Sequence, residues 1–162
     1  TTIEEHRRIA QLIKTKITRL QNGYEPPPFE LNDTEGNTVK LSDFKGRYVY
    51  LNFCTCQSYS CLNEFNMLSE LYRKHKDRLA IITVTTDPQD DVLKQFLTKN
   101  NYSWLFLHYD KQPSILKEYD IRAFPTYFLI GPDGKLILSP AASPAENFEQ
   151  RLFEIMKSRG DL

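Results

Sequence analysis

The sequence has no excess of charge of either sign, few cysteines and no long apolar run. Its 162 residues carry 21 Lys and Arg against 21 Asp and Glu, so the net charge is zero. A balanced charge gives no general attraction to nucleic acid or to an anionic membrane, and no apolar stretch approaches the length of a membrane-spanning helix. The length and composition predict one compact globular domain, whose partners must be recognised by a local site.

The start of the chain lacks both an initiator Met and the apolar core of a signal peptide. It reads "TTIEEHRRIA", which is polar and charged where a signal peptide would be apolar. We therefore expect the chain to be a trimmed segment of a longer precursor, which would leave room for an upstream domain.

The first 23 residues predict an amphipathic helix. Apolar residues recur at helical spacing with basic residues between them, and they are Ile3, Ile9, Leu12, Ile13, Ile17 and Leu20. Asn22 and Gly23 end this pattern, and the prolines of "EPPPFEL" cannot continue a helix. We expect residues 1–23 to form the helix, packed on this domain or on an upstream one, and residues 24–162 to form the domain proper.

The rest of the chain alternates strand and helix patterns. Runs of branched and aromatic residues predict strands in "RYVYLNFC", "LAIITVTT", "WLFLHYD", "AFPTYFLI" and "LILS". Helix patterns lie after Cys61, after "DPQDD", around Ile115 to Tyr119, and from about Ala145 to Lys157. Two short extended segments flank the "EGN" turn, and "GPDGK" predicts a hairpin turn. This order predicts an α/β domain that ends in an antiparallel hairpin and a helix.

All three cysteines lie within "NFCTCQSYSC", directly after the first buried strand. They are Cys54, Cys56 and Cys61, too few and too clustered for the disulfide framework of a small secreted protein. A redox pair would place two residues between two cysteines, yet the residue three positions before Cys61 is Ser58. The cluster is therefore a local site without the usual first sulfur.

Three segments, in order along the chain, carry a resemblance to a known family. They are "PPPFELNDTEGNTVKLSDFKGRYVYLNF", the cysteine-bearing turn and "AFPTYFLIGPDGK". They resemble the bacterial extracytoplasmic thioredoxin-like proteins of the TlpA/ResA type, within the thioredoxin and peroxiredoxin (AhpC/TSA) superfamily. The resemblance implies a thioredoxin-like α/β fold, with a central mixed sheet flanked by helices, an N-terminal helix and extra N-terminal strands. It also implies a periplasmic or cell-envelope location and thiol-disulfide oxidoreductase activity without a bound cofactor.

The family pattern transfers to this chain position by position. Active members carry Trp-Cys-x-x-Cys at a helix N-terminus, where the first cysteine attacks and the second resolves the mixed disulfide. Here the first position is Ser58 and the second is Cys61. The resemblance assigns the family's acidic residue to Glu64 and its proline opposite the site, usually cis, to Pro125. A groove beside Pro125 would then take protein thiols or disulfides, or an extended peptide segment.

The serine removes the chemistry that this position normally provides. Backbone amides and the helix dipole stabilise a thiolate at a helix N-terminus, whereas a serine hydroxyl would need an adjacent base. The three histidines, His6, His75 and His108, are all remote in sequence. We predict that Ser58 caps the helix instead.

Cys61 then needs another partner if it is to react. A disulfide to Cys56 or to Cys54 would close a short loop, and the sequence cannot measure the separation that decides between them. Cys54 has the alternation of an inward strand residue, so we expect it to be buried, and Cys56 is the better candidate for a reactive thiol. Two roles stay open for Glu64: it tunes these thiols, or it is a carboxylate on the helix surface.

Other superfamily chemistries fit less well. Thr55 precedes Ser58 by three residues, as in peroxiredoxin sites, but the sulfur is missing, so peroxidase activity of that kind should be absent. Cys56, Cys61 and His108 could imitate the two thiolates and histidine of a Cu(I) carrier, and a closed zinc site would want four ligands. Three hypotheses follow: a weakly active or redox-silent binding module, an oxidoreductase that uses Cys56 and Cys61, and a Cu(I) carrier.

Overall fold

The computed structural model describes residues 2–87 and 91–162, without the side chains of residues 12–19. Within these residues seven strands form one sheet: β1 (Glu30–Asp33), β2 (Thr38–Lys40), β3 (Tyr48–Cys54), β4 (Leu79–Thr85), β5 (Leu105–His108), β6 (Thr126–Ile130) and β7 (Leu136–Leu138). Their order is β2-β1-β5-β4-β3-β6-β7. Strands β3, β4 and β5 are parallel, and the other pairs are antiparallel. The predicted mixed sheet is confirmed.

Helices cover both faces of the sheet. The described α-helices are α1 (Thr2–Arg19), α2 (Tyr59–His75), α3 (Asp91–Lys99), α4 (Ile115–Glu118) and α5 (Phe148–Ser158). Apolar residues of α2, α3 and α5 pack in one core cluster, whereas Ile115 of α4 packs in a second cluster. Every residue of β3 and β4 is buried, as expected for central strands that are covered on both faces.

The N-terminal helix forms, but its described apolar residues do not pack on the domain. Ile3 and Ile9 are exposed, and Leu12, Ile13 and Ile17 lie among the residues whose side chains are not described. Leu20, just after the helix, packs against the second core cluster. Among the described residues, no helix is both long and apolar enough to cross a membrane.

The segment after α1 is attached to the last strand of the sheet. The Gly23 N–H donates to the Leu136 carbonyl at 2.7 Å, and the Leu136 N–H donates to the Tyr24 carbonyl at 2.9 Å. Pro26 and Pro27 are buried. The proline-rich stretch is therefore part of the packed domain as well as a connection from α1.

One detail differs from the sequence-based expectation, and another lies partly outside the described residues. The closing helix was predicted as continuous from about Ala145, but a 3₁₀ turn (Pro144–Glu146) comes first and α5 begins at Phe148. Asn147 separates them because its φ of 64° is left-handed, a conformation that asparagine tolerates better than most residues. The helix start expected at "DPQDD" falls partly on residues 88–90, which lie outside the described residues.

Candidate functional site

The cysteine cluster lies where β3 ends and α2 begins. Cys54 is the last residue of β3, and α2 starts at Tyr59. Between them the Ser58 N–H donates to the Thr55 carbonyl at 3.0 Å, which closes the turn. The three sulfurs are thus carried by a strand end, a tight turn and the first turn of a helix.

Ser58 is the N-cap of α2, as predicted. Its backbone is extended, with φ −92° and ψ 120°, and its hydroxyl oxygen accepts from the Cys61 N–H at 3.4 Å. The Ser58 side chain also helps to lower the pKa of Cys61. The serine therefore serves both the helix end and the neighbouring thiol.

Cys61 is fully buried, yet its surroundings favour the thiolate. The pKa of Cys61 lies below its ordinary value because the Cys54 thiol hydrogen-bonds its sulfur, with further hydrogen bonds from the Thr55 backbone and the Ser58 side chain. Burial and the charge of Glu64 act in the opposite direction. Hydrogen bonds to the charged form thus outweigh desolvation at this sulfur.

Cys54 is also fully buried, which confirms the prediction from its strand alternation. Burial raises the pKa of Cys54, and the hydrogen bond to Cys61 and the charges of Cys61 and Glu64 raise it further. None of the three cysteines is in a disulfide in the described part of the chain. Cys54 is thus the protonated member of a thiol pair with Cys61.

Cys56 is the member of the cluster that keeps some exposed surface. Burial raises its pKa, and so do the charge and the hydrogen bond of the neighbouring Asp87 carboxylate and the charge of Cys61. Cys56 therefore stays protonated at neutral pH. Its exposure suits a reactive thiol, but a protonated thiol is a poor nucleophile because the thiolate is the attacking form.

Asp87 is a buried acid that the sequence analysis missed. Its carboxylate accepts from the Thr55 hydroxyl at 2.7 Å, the Cys56 N–H at 2.7 Å and the Thr85 hydroxyl at 2.5 Å. Burial acts to raise its pKa, but these hydrogen bonds outweigh burial and hold the pKa below its ordinary value. The signal was the polar "TTD" at the end of β4, because parallel neighbours β3 and β4 end at the same sheet edge, where Cys54 pairs with Thr85.

Glu64 is half-buried and linked to the sheet beneath α2. It accepts a hydrogen bond from the hydroxyl of Tyr127, which is buried on β6. Its charge also contributes to the raised pKa of Cys54. Of the two alternatives from the sequence, the carboxylate that faces the thiols fits this placement.

Pro125 lies at the same edge of the sheet as the cysteines. The Phe124–Pro125 peptide bond is cis. The next residue, Thr126, pairs with Phe53, which directly precedes Cys54. The register therefore places Pro125 beside the end of β3.

The structure does not assemble the proposed copper ligands. His108 is buried in β5, and β4 separates that strand from β3 and the cysteine turn. Among residues 2–87 and 91–162, no group of three His, Cys, Asp or Glu side chains is placed to hold a metal ion. The expectation that Cys56, Cys61 and His108 could act together is wrong for this geometry.

Comparison with known proteins finds relatives over most of the chain. The family model described as "AhpC/TSA family" matches residues 23–139. A thiol-disulfide oxidoreductase ResA from Bacillus thuringiensis is 36% identical over 124 residues, which cover 76% of this chain and 71% of the relative.

Two solved structures extend the comparison to the fold. A putative thiol:disulfide interchange protein DsbE from Chlorobium tepidum has a TM-score of 0.72 at 29% identity. The match covers 83% of this chain and 96% of the DsbE chain. The pneumococcal exposed lipoprotein thioredoxin from Streptococcus pneumoniae has a TM-score of 0.64 at 26% identity. This match covers 79% of this chain and 99% of the lipoprotein chain. The thioredoxin-like fold expected from the sequence is confirmed.

Proposed function

We propose a function for this chain, which belongs to the AhpC/TSA family and is a thioredoxin-like protein of the TlpA/ResA type. It binds protein thiols or disulfides but exchanges them weakly or not at all. One observation carries this proposal: Ser58 occupies the N-cap of α2, where the family pattern has its attacking cysteine. The fold and the homology support thiol-disulfide chemistry in general. The serine argues against fast turnover.

Neither sulfur acidity nor exposure alone makes a fast nucleophile, and no cysteine here combines the two. Cys61 has a lowered pKa but is fully buried. Cys56 is partly exposed but has a raised pKa. Cys54 is both buried and protonated. Because the thiolate is the attacking species, exchange with a protein disulfide should be slow.

The binding surface that we propose is the groove beside Pro125. The edge formed by Pro125 and the end of β3 lies next to the N-terminus of α2. Tyr59, the first residue of that helix, has 78% of its surface exposed. An exposed aromatic ring at this helix end offers an apolar surface to an extended peptide segment that carries a cysteine.

An insulin-reduction assay tests the proposal. The wild type should show little activity, and Ser58→Cys should raise the rate at least about tenfold, because the new thiol would lie at a helix N-terminus that lowers its pKa. Ser60→Cys is the matched control, since it adds an exposed thiol two residues along the same helix turn. Robust wild-type turnover that survives Cys61→Ala would contradict the proposal.

The partial exposure of Cys56 supports a second candidate, an oxidoreductase that uses Cys56 and Cys61. In that case the wild type would turn over insulin at a measurable rate, and Cys56→Ala and Cys61→Ala would each abolish it. If the protein is a redox-silent binding module, neither substitution should change the low background rate of insulin reduction.

We also propose an extracytoplasmic location. One structural relative is described as an exposed lipoprotein, and thiol-disulfide chemistry of this kind suits an oxidising compartment. Fractionation of cells that express the protein from its native gene would test this, and recovery of the protein with the cytoplasm would contradict it.

A further inference from the structure

Asp87 is a buried carboxylate that is satisfied by hydrogen-bond donors alone. Its exposed fraction is 6%, and no Lys, Arg or His forms an ion pair with it among the described residues. A buried charge without a counter-ion is costly unless hydrogen bonds satisfy it. Groups of this kind cluster at functional sites. The parts of the chain that donate to this carboxylate therefore indicate its role.

The donors come from the end of β4 and from the turn that carries Cys56. Two threonine hydroxyls bind the carboxylate in the same way, and each also accepts a backbone N–H. Thr55 donates to Asp87 at 2.7 Å and accepts from the Gln57 N–H at 3.2 Å. Thr85 donates at 2.5 Å and accepts from the N–H of Asp87 itself at 3.0 Å. An ionised carboxylate can only accept hydrogen bonds, so each hydroxyl is the donor to Asp87.

Three successive backbone N–H groups of the turn depend on this arrangement. The Cys56 N–H donates directly to the Asp87 carboxylate at 2.7 Å. The Gln57 N–H donates to the Thr55 hydroxyl, and the Ser58 N–H donates to the Thr55 carbonyl at 3.0 Å. Because Asp87 anchors Thr55, a movement of the turn away from β4 would break the bonds to this one carboxylate.

The same carboxylate places a negative charge beside the Cys56 thiol. Its oxygen is in hydrogen-bond contact with the backbone of that residue, and a nearby negative charge disfavours a thiolate. Burial and then the charge of Asp87 raise the pKa of Cys56. The turn also packs Cys56 against the core cluster that contains Cys61, although some of its surface stays exposed. The position of the turn thus partly covers the sulfur and favours its protonated form.

We propose that Asp87 is a positioning residue that restrains the Cys56 thiol, and that it does so by holding residues 55–58 on the end of β4. This inference rests on the proposed function, in which exchange is slow because no cysteine offers an exposed thiolate. It assigns the restraint on the most exposed thiol to one side chain, which acts through the turn and not by contact with a bound peptide. A chain without this carboxylate should have a more reactive Cys56.

Site-resolved alkylation of the folded protein tests this role. The wild type and Asp87→Asn are labelled with iodoacetamide over a series of pH values, and excess thiol stops the reaction. No Lys or Arg lies between residues 47 and 73, so trypsin leaves all three cysteines in one peptide and fragment masses assign each label. Cys56 of the variant should react at least about tenfold faster at pH 7, with a midpoint at lower pH, because each fall of one in a thiol pKa gives about tenfold more thiolate.

The other two cysteines separate this effect from unfolding. Cys54 and Cys61 are fully buried, so both should stay unlabelled while Cys56 reacts. Asp91→Asn is the matched control, since it removes the charge of an exposed aspartate at the start of α3, and it should leave the labelling rate of Cys56 unchanged. A wild-type rate and midpoint in Asp87→Asn, equal acceleration at all three cysteines, or equal acceleration in the control would overturn the proposal.

Thr55→Val tests the position of the turn without altering its charge, and it serves if Asp87→Asn fails to fold. The valine removes one donor to Asp87 and the acceptor of the Gln57 N–H. Cys56 should then react about fivefold faster, the effect of one lost hydrogen bond on the opening of the turn, with its pH midpoint unchanged because the carboxylate remains. A wild-type rate in this variant would overturn the positioning role. These readouts need no insulin turnover, so failure of the inference is distinguishable from failure of the proposed function.

Discussion

At the scale of single residues, the thiol with the lowered pKa and the thiol with exposed surface are different residues. The position with a lowered pKa is Cys61, behind the helix cap, and the position at the cap is a hydroxyl. The more exposed thiol, Cys56, is kept protonated by burial and by Asp87. Under the proposed function, Ser58 stands where the family pattern has its attacking residue and supports Cys61 behind it.

Replacing Ser58 with Ala should affect both the helix and the thiol. Loss of the N-cap should lower the free energy of unfolding by about 1 kcal/mol. The pKa of Cys61 should rise partway towards its ordinary value, because the Cys54 and Thr55 hydrogen bonds remain. Urea unfolding measures the first effect, and ultraviolet absorbance of the thiolate against pH measures the second.

Ser60→Ala is the control for that substitution. Ser60 is exposed in the same helix turn and is not the cap. If the two variants behave alike in both measurements, Ser58 does not have the double role assigned to it.

Single-residue features were predictable where they depend on local sequence alone. The cap at Ser58 follows from its residue type before a helix pattern, and the burial of Cys54 follows from strand alternation. The contact between Cys54 and Cys61 did not follow, because it depends on how the strand end meets the helix turn. The sequence left Cys54 and Cys56 open as partners for that reason.

At the scale of elements, local patterns located most strands and helices, and their interruptions were harder to foresee. The runs around β3, β4 and β6 are strongly apolar and bounded by polar turns, so their type was clear. The break before α5 depends on the left-handed φ of Asn147, which residue type allows but does not require. The attachment of the proline-rich segment to β7 is a long-range contact that no local pattern contains.

Two truncations should separate α1 from the segment that follows it. Removal of residues 1–25 deletes Leu20 and the two backbone hydrogen bonds to Leu136, whereas removal of residues 1–19 keeps them. We expect the longer truncation to cost about 2 kcal/mol more in the free energy of unfolding, at roughly 1 kcal/mol for each hydrogen bond.

Denaturant unfolding and light scattering on both truncated proteins provide the check. Scattering matters because Ile3 and Ile9 are exposed on α1, and a lower mass than that of the full chain would show that α1 mediates association in solution. Equal stability of the two truncated proteins would contradict the role given to the Leu136 hydrogen bonds.

At the scale of the whole molecule, the sheet order creates the surroundings of the thiols. Asp87 reaches the cysteine turn because β4 lies beside β3 and ends at the same edge. Pro125 reaches it from the other side because β6 is the opposite neighbour of β3. The family resemblance implied Pro125, but Asp87 required the strand order itself. This is why Asp87 escaped sequence reasoning.

The stability of the domain should fall in acid through Asp87. Its pKa in the folded protein is lowered, so between that value and the ordinary aspartate pKa of about 3.9 the unfolded chain binds more protons. The stabilisation is fully present above about pH 5 and is lost as the pH falls through the folded pKa. Urea unfolding from neutral to acid pH measures this loss.

Asp87→Asn should flatten that acid dependence. The amide places N–H donors where the carboxylate accepts three hydrogen bonds, so the variant should also be less stable by about 1–3 kcal/mol at neutral pH. Asp77→Asn, at an exposed aspartate, is the matched control. An Asp87→Asn protein with the acid profile of the wild type would show that other carboxylates carry the effect.

The aromatic packing behind α2 has an optical consequence. The chain has one tryptophan, and Trp104 is buried with its indole N–H donating to the Thr83 hydroxyl at 2.8 Å. Its ring lies 5.6 Å from that of Phe65, which follows Cys61 by one helical turn. Every change in tryptophan emission therefore originates at one place, in the same core cluster as Cys54 and Cys61. We therefore expect tryptophan emission to report on the packing of this core cluster without any added label.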